Sequence, residues 1–236
     1  MTDIHSHLIY GIDDGARSID ESIELIKKLY SIGFNNLIIT PHYIDNSEYN
    51  ADNMLKEERL EAIKAKLREE NIDVNIFIGN EIFIVDNIVD LVEKGFIETL
   101  ADTNCLLIEL PFHNKIIGLE DILYDIKRLG YLPIIAHPER YTYFQEDYKL
   151  IDELKKEKVL FQSNYTSIIG RYGKDAEKLL KYMLKHRYVD YLGTDLHRLD
   201  RTLLIDNWNK IDKLFNKIAG KEYYNKIKNN CDFLVK

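Results

Sequence analysis

Two short motifs near opposite ends of the chain share one geometry. "DIHSH" sets His5 and His7 two residues apart, and "GTDLH" does the same for Asp195 and His197. In an extended strand, residues i and i+2 point to the same side. Each pair can therefore offer two donors to one point. Imidazole plus carboxylate suits Zn, Mn, Fe or a similar borderline metal better than Ca or Mg alone. Between the two motifs lie His42 in "ITPHY", Glu81 in "GNEIF", Glu109 in "LIELP", His137 in "AHPER" and Asn164 in "QSNYTS". Five of the seven histidines fall in this set, which scattered histidines would not do. One ion takes about four to six ligands, so this many donors implies more than one ion. Taken singly, several of these residues have bland readings: a lone His-x-His is a weak signal, and Glu81 could be a solvated loop residue. Glu109 resists that reading. It interrupts the apolar run "CLLIEL", and a buried unpaired carboxylate is costly, so it needs a cation. Asp195, after "YVDYLGT", makes the same demand.

Two arginines accompany the donors. Arg140 lies three residues past His137 in "HPERY", and Arg201 lies four past His197 in "HRLDR". Metal ions with arginine beside them suit an anionic substrate, above all a phosphate. A surface salt bridge is the bland alternative for both. Arg17 and Arg171 read as solvated faces.

Unbroken apolar runs position these residues. They cover roughly 2–5, 36–40, 74–79, 104–110, 131–136, 158–163 and 188–193. Continuous rather than alternating runs suit strands buried on both faces, as in parallel sheets. Between them lies helical periodicity. Ser18 and Glu21 form a capping box ahead of Ile19, Ile23, Ile26 and Leu29. Further helices are expected over 52–70, 118–129, 147–156, 174–186, 203–218 and 221–229. Strand and helix alternate about seven times, so the fold class is α/β with a parallel sheet. A closed barrel and an open doubly wound sheet both fit the pattern. In either, the active site gathers at the C-terminal tips of the strands, where the His, Glu, Asp and Asn residues sit.

Bulk properties narrow the function. The chain has 236 residues, 45% of them hydrophobic, which allows a sizeable core in one large domain or two small ones. A net charge of −8 disfavours nucleic acid as a partner. A small phosphorylated ligand needs only a few local cations and stays open. Two cysteines, Cys105 and Cys231, give no disulfide framework. The first residues lack the basic start and apolar centre of a signal peptide. No apolar run approaches the ~20 residues of a membrane helix. A cytoplasmic protein without a membrane anchor is expected.

At these residues the chain resembles a known family. "DIHSHLIYGIDDGARSIDESIEL", "ITPHY", "GNEIF", "LIELP", "AHPERY" and "GTDLHRLDR" are similar to the polymerase and histidinol phosphatase (PHP) superfamily. Within it they resemble the bacterial metal-dependent protein tyrosine phosphatases of capsular and exopolysaccharide operons. The resemblance implies a distorted (β/α)7 TIM-like barrel, one domain over 1–236, and three divalent or trivalent metal ions of Mn, Fe or Zn. On the matching positions, His5, His7, Glu81 and Asp195 would hold the first ion. Glu81 would bridge to a second, held also by Glu109 and His137. Asp14 in "GIDDG" would hold the third with His42 and His197, Asp13 being the weaker neighbour. Arg140 and Arg201 match arginines that contact the substrate phosphate. Asn164 matches a position near the site. Gly193-Thr194 stands where many relatives carry Ala-Ser, a difference expected to be harmless.

The same resemblance implies phosphotyrosine hydrolysis by metal-activated hydroxide. The substrate would be a bacterial tyrosine kinase tail that governs polysaccharide export, and a homo-oligomer is admitted without being required. A cysteine-dependent tyrosine phosphatase of the familiar kind needs an arginine six residues past its thiolate. Cys105 has Pro111 there, and "DFLVK" after Cys231 holds no arginine. The rivals are histidinol-phosphate phosphatase, an amidohydrolase-type metal hydrolase and a regulatory protein without turnover. "GIDDGA" after "HSH" argues against the first. Glutamates where amidohydrolases often use a modified strand lysine argue against the second, and a complete ligand set argues against the third.

Overall fold

The apolar runs become the staves of a barrel. The computed structural model describes residues 1–236, apart from the side chain of Arg201. Its strands are β1 Thr2–Asp3, β2 Asn36–Ile39, β3 His42–Tyr43, β4 Asn75–Ile78, β5 Glu81–Phe83, β6 Cys105–Glu109, β7 Leu132–Ala136, β8 Leu160–Asn164 and β9 Tyr191–Gly193. All pair in parallel, in the orders β1-β2-β4 and β3-β5-β6-β7-β8-β9.

The two arcs share staves. Ile39 pairs with Ile78 in one ladder and His42 with Glu81 in the next, so the register continues across the break. The break falls at Pro41, which has no N–H to give. Asn80 spans it, its Nδ2 donating to the Pro41 carbonyl at 3.0 Å. Counting β2 with β3 and β4 with β5 gives seven staves. Closure runs through β1 and β9. Ser6 bridges Leu196, and the Asp195 N–H donates to the His5 carbonyl at 2.8 Å. The expected strand over 2–5 is regular only over Thr2–Asp3 because the Asp3 carboxylate enters the ladder. It takes the Thr194 N–H at 2.8 Å and hydroxyl at 2.6 Å.

Helices surround the staves: α1 Ile19–Ser31, α2 Asn53–Glu69, α3 Ile88–Glu93, α4 Leu119–Arg128, α5 Thr142–Glu146, α6 Lys149–Lys156, α7 Lys174–Lys185, α8 Leu203–Asp206, α9 Trp208–Ala219 and α10 Lys221–Phe233. Two expectations need correction. Ser18 does cap α1, its Oγ accepting from the Glu21 N–H at 3.2 Å. The Glu21 carboxylate, however, accepts from the N–H groups of Arg17 and Leu199 (2.9 and 3.1 Å), and so fastens the loop after β9 instead of completing the box. The single helix expected over 203–218 is split at Asn207. Its side-chain amide donates to the Leu203 carbonyl at 3.0 Å, a local bond that competes with the helix.

The unbroken runs reflect two buried faces. Leu37, Ile39, Leu106, Ile108, Ile135 and Phe161 pack in the layer between strands and helices. Their neighbours Ile38, Leu107, Ile134 and Ala136 form a second cluster with Ile4, Cys105, Cys231 and Leu234, which fills the lumen. Each such side chain, fully buried, stabilises the fold by roughly 1.5–3 kcal/mol. The C-terminal residues after α10 thereby stopper one end of the barrel. All strand C-termini open at the other.

Candidate metal centre

At that open end the inward side chains change from carbon to nitrogen and oxygen. The Nε2 atoms of His5 and His7 stand 3.3 Å apart. Each is 3.2 Å from Glu81 Oε2 and 3.7 Å from Asp195 Oδ1. Ligand atoms at ~2.1 Å around a tetrahedral ion stand about 3.4 Å from one another, so these four donors have the spacing of a coordination shell. Glu81 Oε1 lies 2.8 Å from His137 Nε2, which is 3.7 Å from Glu109 Oε1. His42 Nδ1 is 3.1 Å from Glu81 Oε2 and 3.9 Å from Glu109 Oε2. On its other side, His42 Nε2 is 3.6 Å from Asp14 Oδ1, itself 3.3 Å from His197 Nε2. Glu81 is the hub, within reach of four imidazoles.

Three groups of donors could each hold an ion: His5, His7 and Glu81; His42, Glu81 and Glu109; and His7, Asp14, His42 and His197. The chemistry of the set fits a metal. Asp14 Oδ1, His42 Nδ1 and His137 Nδ1 are buried without a hydrogen-bond partner. For Asp14 and His42 the complementary atoms lie nearby, yet without hydrogen-bond geometry. Atoms so placed surround a shared point instead of bonding each other.

Electrostatics agree. Burial pushes the Glu81 carboxyl up, but His5 and His42 outweigh it and hold it well below the usual range. Burial, with the Glu81 charge beside it, drives Glu109 well above. Burial opposes a charge on His7, but Asp13 and Glu81 raise it well above the ordinary value. Burial and Arg140 pull His137 down to about 4. A cation at the hub would relieve the repulsion between the two glutamates.

A supporting shell orients the donors. Asp13, the weaker candidate by the motif, takes a different part from Asp14. Its Oδ2 is 2.7 Å from His7 Nδ1 and accepts from the His42 N–H at 3.0 Å. Gln162 Oε1 is 2.9 Å from His5 Nδ1, and Gln162 Nε2 donates to Asn164 Oδ1 at 2.9 Å. Asn164 passes the chain on, its Nδ2 donating to Asp195 Oδ2 at 2.7 Å. Gly193 is packed to its limit, since an added Cβ would lie 2.5 Å from His5 Cβ and 2.8 Å from Gln162 Nε2. An alanine there would force a shift in this chain. The neighbouring Thr194 hydroxyl is the one that donates to Asp3. His137 (φ 32°) and Asp195 (φ 52°) both adopt the left-handed region, a conformation that turns their side chains at the strand ends.

Above the donors lies a cavity of about 240 Å³, lined by Asp14, His42, Glu81, Glu109, Arg140 and Tyr172 among others. Arg140 reaches in and donates to Asp195 Oδ2 at 2.9 Å. Arg171, read from sequence as a solvated face, is exposed but also lines this cavity. Arg17 is exposed. The Arg201 side chain lies outside the described residues. Sequence reading missed Gln162, Phe112 and Tyr172. Gln162 had a signal: it interrupts "VLFQS" as Glu109 interrupts "CLLIEL". Phe112 and Tyr172 had none of that kind. Cys105 and Cys231 are buried, and burial raises both thiols, that of Cys231 to about 12.

A parallel barrel with imidazoles and carboxylates converging at its strand ends is the scaffold of a metal-dependent hydrolase. The chain belongs to the family described as "Capsular polysaccharide synthesis, CpsB/CapC", whose profile matches residues 1–235. It is 27% identical to the tyrosine-protein phosphatase YwqE of Bacillus subtilis (strain 168), covering 100% of this chain and 92% of that protein. It is 30% identical to the tyrosine-protein phosphatase CpsB of Streptococcus pneumoniae, covering 85% of this chain and 84% of the relative. A solved structure from work on YwqE and CpsB, described as unique metal-dependent tyrosine phosphatases, superposes with a TM-score of 0.92 at 26% identity. It covers 100% of this chain and 94% of the other.

Proposed function

We propose that this chain is a metal-dependent protein tyrosine phosphatase that acts on a bacterial tyrosine kinase in the capsular or exopolysaccharide setting. The observation that carries the reading is the buried donor cluster around Glu81 with the Arg140 guanidinium in the same cavity, on a barrel that follows a metal-dependent tyrosine phosphatase along its whole length. His5, His7, Glu81 and Asp195 would hold one ion, Glu81, Glu109 and His137 a second, and Asp14, His42 and His197 a third, from Mn, Fe or Zn. Such ions supply Lewis acidity, an acidified water and neutralising charge for a phosphoryl group.

The rest falls to the chain itself. Asp13 and Gln162 fix the rings of His7 and His5 through their second nitrogens. Arg140, kept charged by Asp195 despite burial, offers its remaining N–H groups to phosphoryl oxygens; Arg201 is proposed to share this contact. Tyrosine phenolate, with a pKa near 10, leaves with less acid assistance than a serine alkoxide needs. No thiol takes part, which suits two buried cysteines. Lys56 is buried but lies on the helix α2 and donates to Asn80, whereas an amidohydrolase-type bridge uses a strand lysine. The whole of 1–236 is read as one catalytic domain. No helix among the described residues is long and apolar enough to cross a membrane, which is compatible with a cytoplasmic enzyme visiting its kinase.

The test is phosphate release from a phosphotyrosine peptide and from histidinol phosphate, by metal-stripped protein and by protein resupplied with Mn, Fe or Zn. Metal-dependent turnover of the peptide, indifferent to thiol alkylation and lowered about 10²–10³-fold by Arg140→Ala, is expected. Strong preference for histidinol phosphate would move the substrate assignment to that rival. No turnover with any metal would overturn the reading.

A further inference from the structure

Arg140 is held more firmly than a phosphate ligand requires. Its guanidinium carbon lies 4.7 Å from the Phe112 ring centroid and 4.5 Å from that of Tyr172. Its Nη1 is committed to Asp195 Oδ2, which accepts two further bonds, from Asn164 Nδ2 at 2.7 Å and the Tyr172 hydroxyl at 3.1 Å. Three donors saturate one carboxylate oxygen. The other, Oδ1, is left facing His5, His7 and His197 at 3.4–3.7 Å. Tyr172 thus touches both halves of the site. Its loop is shaped to deliver it: in "GRYG", Gly170 (φ 79°) and Gly173 (φ 95°) both take left-handed turns that a side chain would strain.

We propose that Phe112 and Tyr172 form an aromatic clamp that covers the Arg140 guanidinium and leaves its edge for the phosphate, and that the Tyr172 hydroxyl fixes Asp195 with one oxygen toward the metal. This rests on the phosphatase reading above. Phe112 and Tyr172 are positioning residues: they act through Arg140 and Asp195. An arginine covered on its faces by rings is desolvated there by carbon, and its N–H groups point outward in plane. That geometry selects a tetrahedral dianion presenting two oxygens along the edge.

The two parts of the proposal separate in two variants. Tyr172→Phe keeps the ring and removes the hydroxyl. Metal affinity, measured by competition with a chelator, should fall about 10-fold or more, while binding of inorganic phosphate to the metal-loaded protein, by calorimetry, should stay within about 3-fold. Phe112→Leu should do the reverse, with phosphate binding weakened about 3- to 30-fold, the size of a cation–π contact, and metal affinity unchanged. On the phosphotyrosine peptide the second variant should raise KM more than it lowers kcat. Thermal unfolding midpoints show whether either variant is folded, and Tyr172→Leu, which should lose both properties, repeats the measurement at the other ring. Wild-type metal affinity in Tyr172→Phe would overturn the role given to the hydroxyl, and wild-type phosphate affinity in both leucine variants would overturn the clamp. A wild-type protein that binds phosphate but spares the peptide would instead overturn the substrate assignment.

Discussion

The lower lumen and the mouth of the barrel are built from the same inward-pointing strand positions, and they do opposite things. Below, Ile38, Leu107 and Ile134 meet Cys105 and Leu234, and nothing is left unpaired. Above, His5, His7, Glu81, His137 and Asp195 crowd into the same cross-section beside Asp14 and His42, and Asp14 Oδ1, His42 Nδ1 and His137 Nδ1 are buried there without a hydrogen bond. The pleat aims both sets inward. Taking carbon out of water at the bottom lowers the free energy, and taking charge out of water at the top raises it. The mouth is therefore carried by the rest of the fold, and its arrangement answers to a ligand that the chain alone does not supply.

The largest expected effect tests the hub. Glu81→Gln should lower metal-dependent turnover by about 10³-fold, several kcal/mol of lost charge stabilisation; turnover within tenfold of wild type would remove Glu81 from the centre. Next comes the lumen. Leu107→Ala should cost about 2–5 kcal/mol of stability in urea unfolding, through a cavity that cannot collapse. Metal bound per folded molecule should not change, and a loss of metal here would mean that the two regions are not separable.

Lys56 sharpens the comparison from outside the lumen. Its ammonium is buried beneath the break in the staves and donates to Asn80 Oδ1 at 2.9 Å. Burial lowers its pKa to about 8. The sign follows from that depression. Below pH 8 the group is charged in both states and the burial cost is borne in full. Between 8 and 10.5 the unfolded chain holds the proton more firmly, so stability rises with pH. From about pH 7.5 to 9.5 the wild type should gain about 2 kcal/mol over Lys56→Met. Parallel pH profiles for the two would show that Lys56 is solvated.

The smallest effect has the opposite sign to the lumen's. In metal-stripped protein, Glu109→Gln should raise stability by about 1 kcal/mol, because it removes a buried carboxylate facing Glu81. The same variant should lose turnover. If metal-free Glu109→Gln is less stable than wild type, the mouth is not carried at a cost, and the contrast between the two ends fails.

The sequence by itself determined the periodic skeleton and the donor types. The apolar runs named seven staves, because residues buried on both faces must be apolar, and left open whether they close into a barrel. His5, His42, Glu81, Glu109, His137, Asp195 and His197 stood out because polar residues at strand ends have no packing reason to be there. Asp14 was assigned to a metal through family likeness, since spacing alone does not distinguish it from Asp13. Arg140 and Arg201 pointed to a phosphate by lying beside the donors, with a salt bridge as the alternative, and the likeness added the contact. Short-range rules failed where a distant partner competed. Glu21 left its capping box for Leu199, and Asp3 interrupted the first strand by taking Thr194. Only the tertiary structure decided closure, through contacts such as Ser6 with Leu196 that span nearly the whole chain. It alone could place Asp13 behind His7, Gln162 behind His5, and Phe112 and Tyr172 against Arg140. Apart from Asp13 with His7, six residues apart across a loop, those pairings join residues far apart in sequence, and no local pattern encodes them.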